Sequence, residues 1–396
     1  MSLMTQKTDV NGREVARYGR NDRVLELEAA PGDAVVVEIP VNNGAISAIA
    51  VSPDGSRLMV TNYGDNSVSV IDTDTCRVVQ TVDGVNEPFA IAIDDQDADR
   101  AYVSMVSPAY DSIGVIDVAT NSVVATHPLA LSVTDLVVSP DGGYVYASRS
   151  GAGGADVAVL DTTTDKVEVI DVAAAPGTST QCVRISSDGS RVYVGTNGPA
   201  GGRLVVIDTH ADDESGRAEA RPRWRKKNTK SRGKHAAKHA LRVVGTIEIG
   251  LPIRDVALSP NGAVAYVASC GPDGGAVVDF VETRTNKITN TRKVAELGGL
   301  LTGLTVSGDG DRAYLVSDES ITVLCTLTHD VVGTISLATQ PSCAVESPDG
   351  KYLYIADYDG GVTVAPIAST MTSIESGAHE AEWAMPELMQ YEAALV

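Results

Sequence analysis

The sequence predicts an all-β protein, a seven-bladed β-propeller of four-stranded antiparallel blades whose ring is closed by an N-terminal strand pairing with the last blade. Three observations predict it. A unit of about 45 residues recurs seven times. Each complete copy holds four short runs rich in Val, Ile, Tyr and Thr. The last copy lacks its fourth run, and a spare run of the same type precedes the first copy.

The repeat is anchored by an apolar run followed by Ser-Pro-Asp-Gly, which begins in full form at Ser52, Ser139 and Ser347. Variants begin at Ser186 (SSDG), Ser259 (SPNG) and Ser307 (SGDG), and a degenerate copy begins at Asp94. The steps between anchors are 42, 45, 47, 73, 48 and 40 residues, so the fourth unit must carry an insertion. Each anchor predicts a tight turn, because Asp bonds the backbone ahead of it and Gly tolerates positive φ.

The four runs of the first unit show the pattern. A small apolar strand at 49–51 suits the crowded axis of a ring, and LMVTN from Leu58 follows the turn. SVSVID, ending at Asp72, is the third strand, and RVVQTV from Arg77 is the fourth. Third strands of the same kind end at Asp117, Asp161, Asp208 and Glu282, with Cys325 in the sixth unit. These repeated acids each precede a hairpin, where Asp makes local turn bonds, and are read as structural. The spare run at 34–41, AVVVEIPV, is expected to pair beside 361–365 and so remove an exposed sheet edge.

LMVTN, VYVGTN and LYIAD, each after the turn and before a VID-type strand, resemble the YVTN-type propeller repeats. These are similar to the WD40 architecture without its Trp-Asp signature. The resemblance covers roughly residues 34–368, and the chain as a whole is similar to mycobacterial YVTN propeller proteins of unassigned function. The family it implies spans surface proteins, lactonase-like enzymes and redox-associated subunits, so fold follows from it and chemistry does not. The chain divides into an N-terminal arm (1–33, with one extra strand expected at 24–27), the propeller (34–368) and an acidic tail (369–396).

Composition narrows the function. Aromatic residues are 4%, with two Trp and two Phe, which argues against a lectin or a single-strand nucleic-acid binder that stacks ligands on rings. The net charge of −21 repels phosphate backbones and anionic membranes. No apolar run is long enough to span a bilayer, and no secretory leader is seen. Five cysteines without CxxC spacing suggest no zinc ribbon or redox dithiol. The expectation is a cytoplasmic, monomeric protein with reduced thiols.

Two features break the repeat. The first lies on the inner strands. Asp135 and Asp255 share a place that is otherwise Ala48, Ala90, Cys182, Gly303 and Cys343, and Arg184, Arg254 and Glu346 stand at neighbouring places. These five residues are expected to converge on the central channel, where charges must pair with one another, with water or with a ligand. One reading is a set of channel-lining ion pairs. The other is a site for a small anion or a divalent metal.

The second feature is the insertion at about 211–240, with 29 extra residues between third and fourth strands. From Arg217 to Arg242 there are eleven Lys/Arg and one acid, a local charge of +10 against −31 for the rest of the chain. Arg221, Arg223, Trp224, Arg225, Lys226 and Lys227 are its partner-binding candidates. The alternative is that this loop folds back on the acidic body. The tail is read as a short capping helix or a docking segment.

No GxSxG, HExxH or Cys/His pairing of useful spacing occurs. The leading function is a ligand- or protein-binding propeller scaffold without catalytic activity, taking an unknown protein or a small anionic ligand. The alternative is a metal-dependent, lactonase-like hydrolase in which Asp135, Asp255 and Glu346 hold a divalent ion in the central funnel.

Overall fold

In the computed structural model the described residues are 36–367, apart from 42, 97–99, 108–109, 131, 210–240 and 272–273, together with the short strands Lys7–Thr8 and Glu14–Val15. The strand expected at 24–27, the basic insertion and the acidic tail lie outside them. Seven antiparallel sheets of four strands follow one another around a ring. The inner strands are Ile46–Val51, Ile91–Ile93, Ser132–Val138, Ser179–Ile185, Ile253–Leu258, Leu301–Val306 and Pro341–Glu346.

The ring closes as the repeat requires. Val37–Pro40 becomes the outer strand of the seventh blade and pairs with Gly361–Pro366, Val37 opposite Val364 and Pro40 opposite Gly361. The paired strand is shorter than the run of eight in the sequence. Pro40 cannot donate to a ladder, and a proline is tolerated here because the strand is outermost.

Among the described residues the core is divided. Seven apolar clusters each fill the space between two neighbouring blades, and the one at the seam joins Ile39, Val41, Tyr354 and Val362 of the seventh blade to Ile46, Leu58 and Ile71 of the first. A four-stranded sheet cannot bury both faces alone, so each blade depends on both neighbours.

The turn chemistry explains the anchor. Ser52 Oγ donates to Asp54 Oδ1 (2.6 Å) and accepts from Arg57 N (2.9 Å). The same pair of bonds recurs at Ser139, Ser186, Ser259, Ser307 and Ser347. Gly55 has a φ of +73°, and a Cβ added there would lie 3.4 Å from Pro348 Cδ of the neighbouring blade. Gly189 and Gly310 likewise stand over Pro140 and Pro260 of the turn before them, so these turns pack against one another around the ring.

Second-strand tyrosines tie blade to blade. The hydroxyls of Tyr193, Tyr266 and Tyr354 reach Thr283, Thr326 and Thr73 of the next blade. Each of these threonines in turn donates to its own turn, as Thr283 Oγ1 does to Gly262 O (2.6 Å). Met59 stands in the tyrosine place of the first blade, and Val118 stands in the threonine place opposite it, so that interface is apolar on both sides.

Candidate functional site

The chain rises along each inner strand's axis towards the turn face, and the loops joining second to third strands form the opposite face. Three of the five channel candidates meet. Arg184 Nη1 donates to Asp135 Oδ2, and Arg184 Nη2 donates to Asp255 Oδ1 at 2.6 Å. The guanidinium of the fourth blade therefore bridges carboxylates of the third and fifth.

Backbone amides complete the bridge. Leu136 N (2.9 Å) and Val183 N (3.0 Å) donate to Asp135, and Val256 N (2.7 Å) and Leu304 N (2.9 Å) donate to Asp255. Val183 and Leu304 belong to the blades that follow, so each aspartate staples its own inner strand to the next. All four carboxylate oxygens accept from a donor. Burial pushes the Asp255 carboxyl up and Arg184 opposes it. Since every partner of Asp255 is a donor, the geometry is that of a carboxylate. Burial works against the Arg184 charge, but Asp135 and Asp255 outweigh it and hold the guanidinium more firmly protonated than an ordinary arginine.

Glu346 does not join this group, which corrects the expected convergence of five. It ends its strand, three residues beyond the place of Asp135 and Asp255, roughly 10 Å along the strand towards the turn face. Its Oε2 is buried, as is Tyr314 Oη of the sixth blade, and the two side chains act on each other. Burial pushes the Glu346 carboxyl up, and burial with the Glu346 charge pushes the Tyr314 phenol up to about 12. The threonine place opposite Tyr314 is Ile367, so its hydroxyl has Glu346 as its neighbour instead of a threonine. Among the described residues, no three His, Cys, Asp or Glu side chains form a group suited to a metal.

Arg254 stands apart from the bridge. It is exposed, its Nε donates to Thr302 O at 3.2 Å, and among the described residues it makes no ion pair. Its charge reaches the phenol of Tyr358, which burial pushes up and Arg254 pulls down. Asp318, which also acts on Tyr358, accepts from Leu300 N at 2.6 Å. Thr302, Leu300 and Tyr358 escaped the sequence reading because they come from the sixth and seventh blades and approach Arg254 only in the ring.

A further regularity was legible in principle. In six blades the inner strand has a register shift at one level, leaving Thr134, Gln181, Arg254, Thr302 and Ser342 opposite no residue of the second strand, with Ser47 and Ala48 in the first. A polar residue at this place in every one of these blades was the available signal. Bulges re-aim side chains, which is how polar groups come to stand on a strand of otherwise small apolar ones.

The repeated acids of the third strands are structural. Asp72 Oδ1 accepts from Thr75 N (2.8 Å), Asp117 Oδ1 from Thr120 N (2.8 Å) and Asp161 Oδ1 from Thr163 N (2.9 Å). Arg221, Arg223, Trp224, Arg225, Lys226 and Lys227 lie outside the described residues.

No protein-family model matches the chain. A curated relative, the seven-bladed beta-propeller protein Rv1057 of Mycobacterium tuberculosis, is 61% identical over 392 residues, covering 98% of this chain and 99% of the relative. Among solved structures, hydrazine synthase of Kuenenia stuttgartiensis aligns with a TM-score of 0.67 at 20% identity, over 86% of this chain and 99% of that one. At that identity the likeness is one of fold.

Proposed function

Because the chain belongs to the family of seven-bladed β-propeller proteins represented by that mycobacterial relative, we propose that it is a binding propeller, which holds a ligand or partner and does not catalyse a reaction. The observation that carries this reading is the Asp135–Arg184–Asp255 bridge. A metal-dependent hydrolase needs carboxylate oxygens open to a cation and a water. Here the four oxygens accept from Arg184 and from four backbone amides. The guanidinium lies where a divalent ion would have to bridge the two acids. Glu346, the third ligand of the hydrolase alternative, keeps company with Tyr314 instead. The residues present do not fit a metal at this level, and no reaction step is derived through one.

The ligand class this reading favours is a small anion or a protein. The acidic body disfavours nucleic acid. The basic segment at 210–240, with Arg221 to Lys227, is a second candidate for contact with a partner on the strength of its charge. No helix among the described residues is long and apolar enough to cross a membrane.

The test is hydrolysis of a panel of γ- and δ-lactones by the full chain with Mg²⁺, Ca²⁺, Mn²⁺ or Zn²⁺. The expected result is no turnover above that of Asp255→Asn. Metal-dependent turnover that disappears in Asp255→Asn would overturn the reading.

A further inference from the structure

The bulged level of the channel holds six polar side chains, and five of them are satisfied close to home. Ser47 Oγ bonds Thr61 Oγ1 (2.8 Å) and Pro88 O (2.9 Å), and Thr134 Oγ1 bonds Ser148 Oγ (2.9 Å) and Thr180 Oγ1 (2.7 Å). Gln181 Nε2 donates to Ser179 Oγ (3.0 Å), Thr302 Oγ1 to Val316 O (3.1 Å), and Ser342 Oγ contacts Cys343 Sγ (3.6 Å). Arg254 is the exception. Of its five N–H donors only Nε has a protein partner among the described residues, and that bond to Thr302 O fixes the plane of the fork while leaving both Nη groups to solvent.

The surroundings of Arg254 are of two kinds. Leu300, 66% exposed, stands just before the inner strand of the sixth blade, and Tyr358, 40% exposed, stands in the loop between second and third strands of the seventh, both on the face opposite the turns. Of the acids nearby, Asp255, next along the strand, belongs to the Arg184 bridge, and Asp318 is oriented by Leu300 N and keeps its negative charge. The bridge as a whole carries one net negative charge, and the chain carries −21. A dianion would meet that repulsion twice over, whereas a planar monoanion matches the guanidinium fork in charge and shape.

We infer that the mouth of the channel is a receptor for a small monocarboxylate with an apolar or aromatic body, its carboxylate on the two Nη groups of Arg254 and its body against Leu300 and Tyr358. This deepens the binding-propeller reading and rests on it. The bulge supplies the position, the Thr302 carbonyl sets the orientation of the fork, and the sixth and seventh blades supply the apolar wall. Lysine in place of Arg254 would keep the charge and lose the paired contact.

The experiment is a calorimetric titration of the full chain with benzoate and with 3-phenylpropionate, with benzamide and inorganic phosphate as controls. Saturable one-to-one binding of at least one arene carboxylate is expected, with neither control binding. Arg254→Met should weaken it about tenfold or more, and Arg254→Lys by a smaller factor. Leu300→Ala should weaken it about threefold, with the thermal transition of each variant confirming its fold. Arg284→Met, an exposed arginine paired with Glu282 on the opposite face, should leave binding unchanged. Absence of saturable binding, or equal binding in Arg254→Met, overturns this site. If that happens while lactones remain unhydrolysed, the binding-propeller reading stands and only the site falls. Metal-dependent turnover would sink the reading itself.

Discussion

The central channel has two unlike arcs. Across the third to sixth blades the inner strands are laced by charge: Asp135, Arg184 and Asp255 join four consecutive blades, ending on Leu304 N. Across the seventh, first and second blades the equivalent places are Cys343, Ala48 and Ala90. There no charge bridge joins the described inner strands, apolar packing dominates between the blades, and the pairing that closes the ring lies in that arc. The difference separates two jobs. Apolar burial supplies closure energy without fixing position finely, whereas a hydrogen-bonded charge bridge is a poor source of net stability but an exacting one of register. The seam stands where the stronger, less particular force acts.

Substitutions in each arc sharpen this contrast. The largest effect is expected from Arg184→Met, which leaves two buried carboxylates without their counter-charge. It should lower stability by about 3–5 kcal/mol, read as a shift of the denaturant midpoint. Part of that loss should return as the pH is lowered and the carboxyls take up protons. In the apolar arc, Ile39→Ala removes a side chain that is 2% exposed at the seam and should cost about 2–4 kcal/mol, with no such recovery in acid. A charge-arc loss without pH dependence would erase the distinction.

Glu346 gives a smaller effect of opposite sign. Burial raises its pKa in the folded ring, so its favourable contribution is complete below the ordinary glutamate pKa and is lost as the pH rises through the raised value. Glu346→Gln should therefore stabilise the protein slightly near neutral pH, and the gain should vanish as the wild type is protonated. Thermal unfolding across pH 4 to 8 measures it. A gain independent of pH would show that the carboxylate charge is not its source.

The smallest effect is expected from replacing 211–240 with a short turn. Asp208 already pairs with Arg242 at the end of the third and fourth strands, so the hairpin is complete without the intervening chain. The unfolding transition should be unchanged, and loss of soluble protein would contradict the reading of this segment as an insertion.

The repeat made the fold legible because the turn, the second-strand tyrosine and the third-strand acid each answer to a bond that recurs blade after blade. Asp135, Arg184 and Asp255 were legible as charges in a column of small apolar residues. Their pairing was not, since it depends on neighbouring blades standing side by side. Glu346 was drawn into the wrong group because its column, although adjacent in sequence, lies at the other end of the strand. The bulge behind Arg254 adds a residue within a strand without disturbing the length of the repeat, so spacing alone did not reveal it. Leu300 and Tyr358 lie about 50 and 100 residues away from it, and only the ring brings them near.

The most direct test of the claim that the channel acids are committed to the ring is a double-mutant cycle on Arg184 and Asp255, with Arg184→Met, Asp255→Asn and the pair followed by denaturant unfolding. Coupling of about 2 kcal/mol or more is expected, because removing either partner strands the other in a buried place. Additive losses would mean that Asp255 does not depend on Arg184, and its carboxylate would then be available for a ligand or metal.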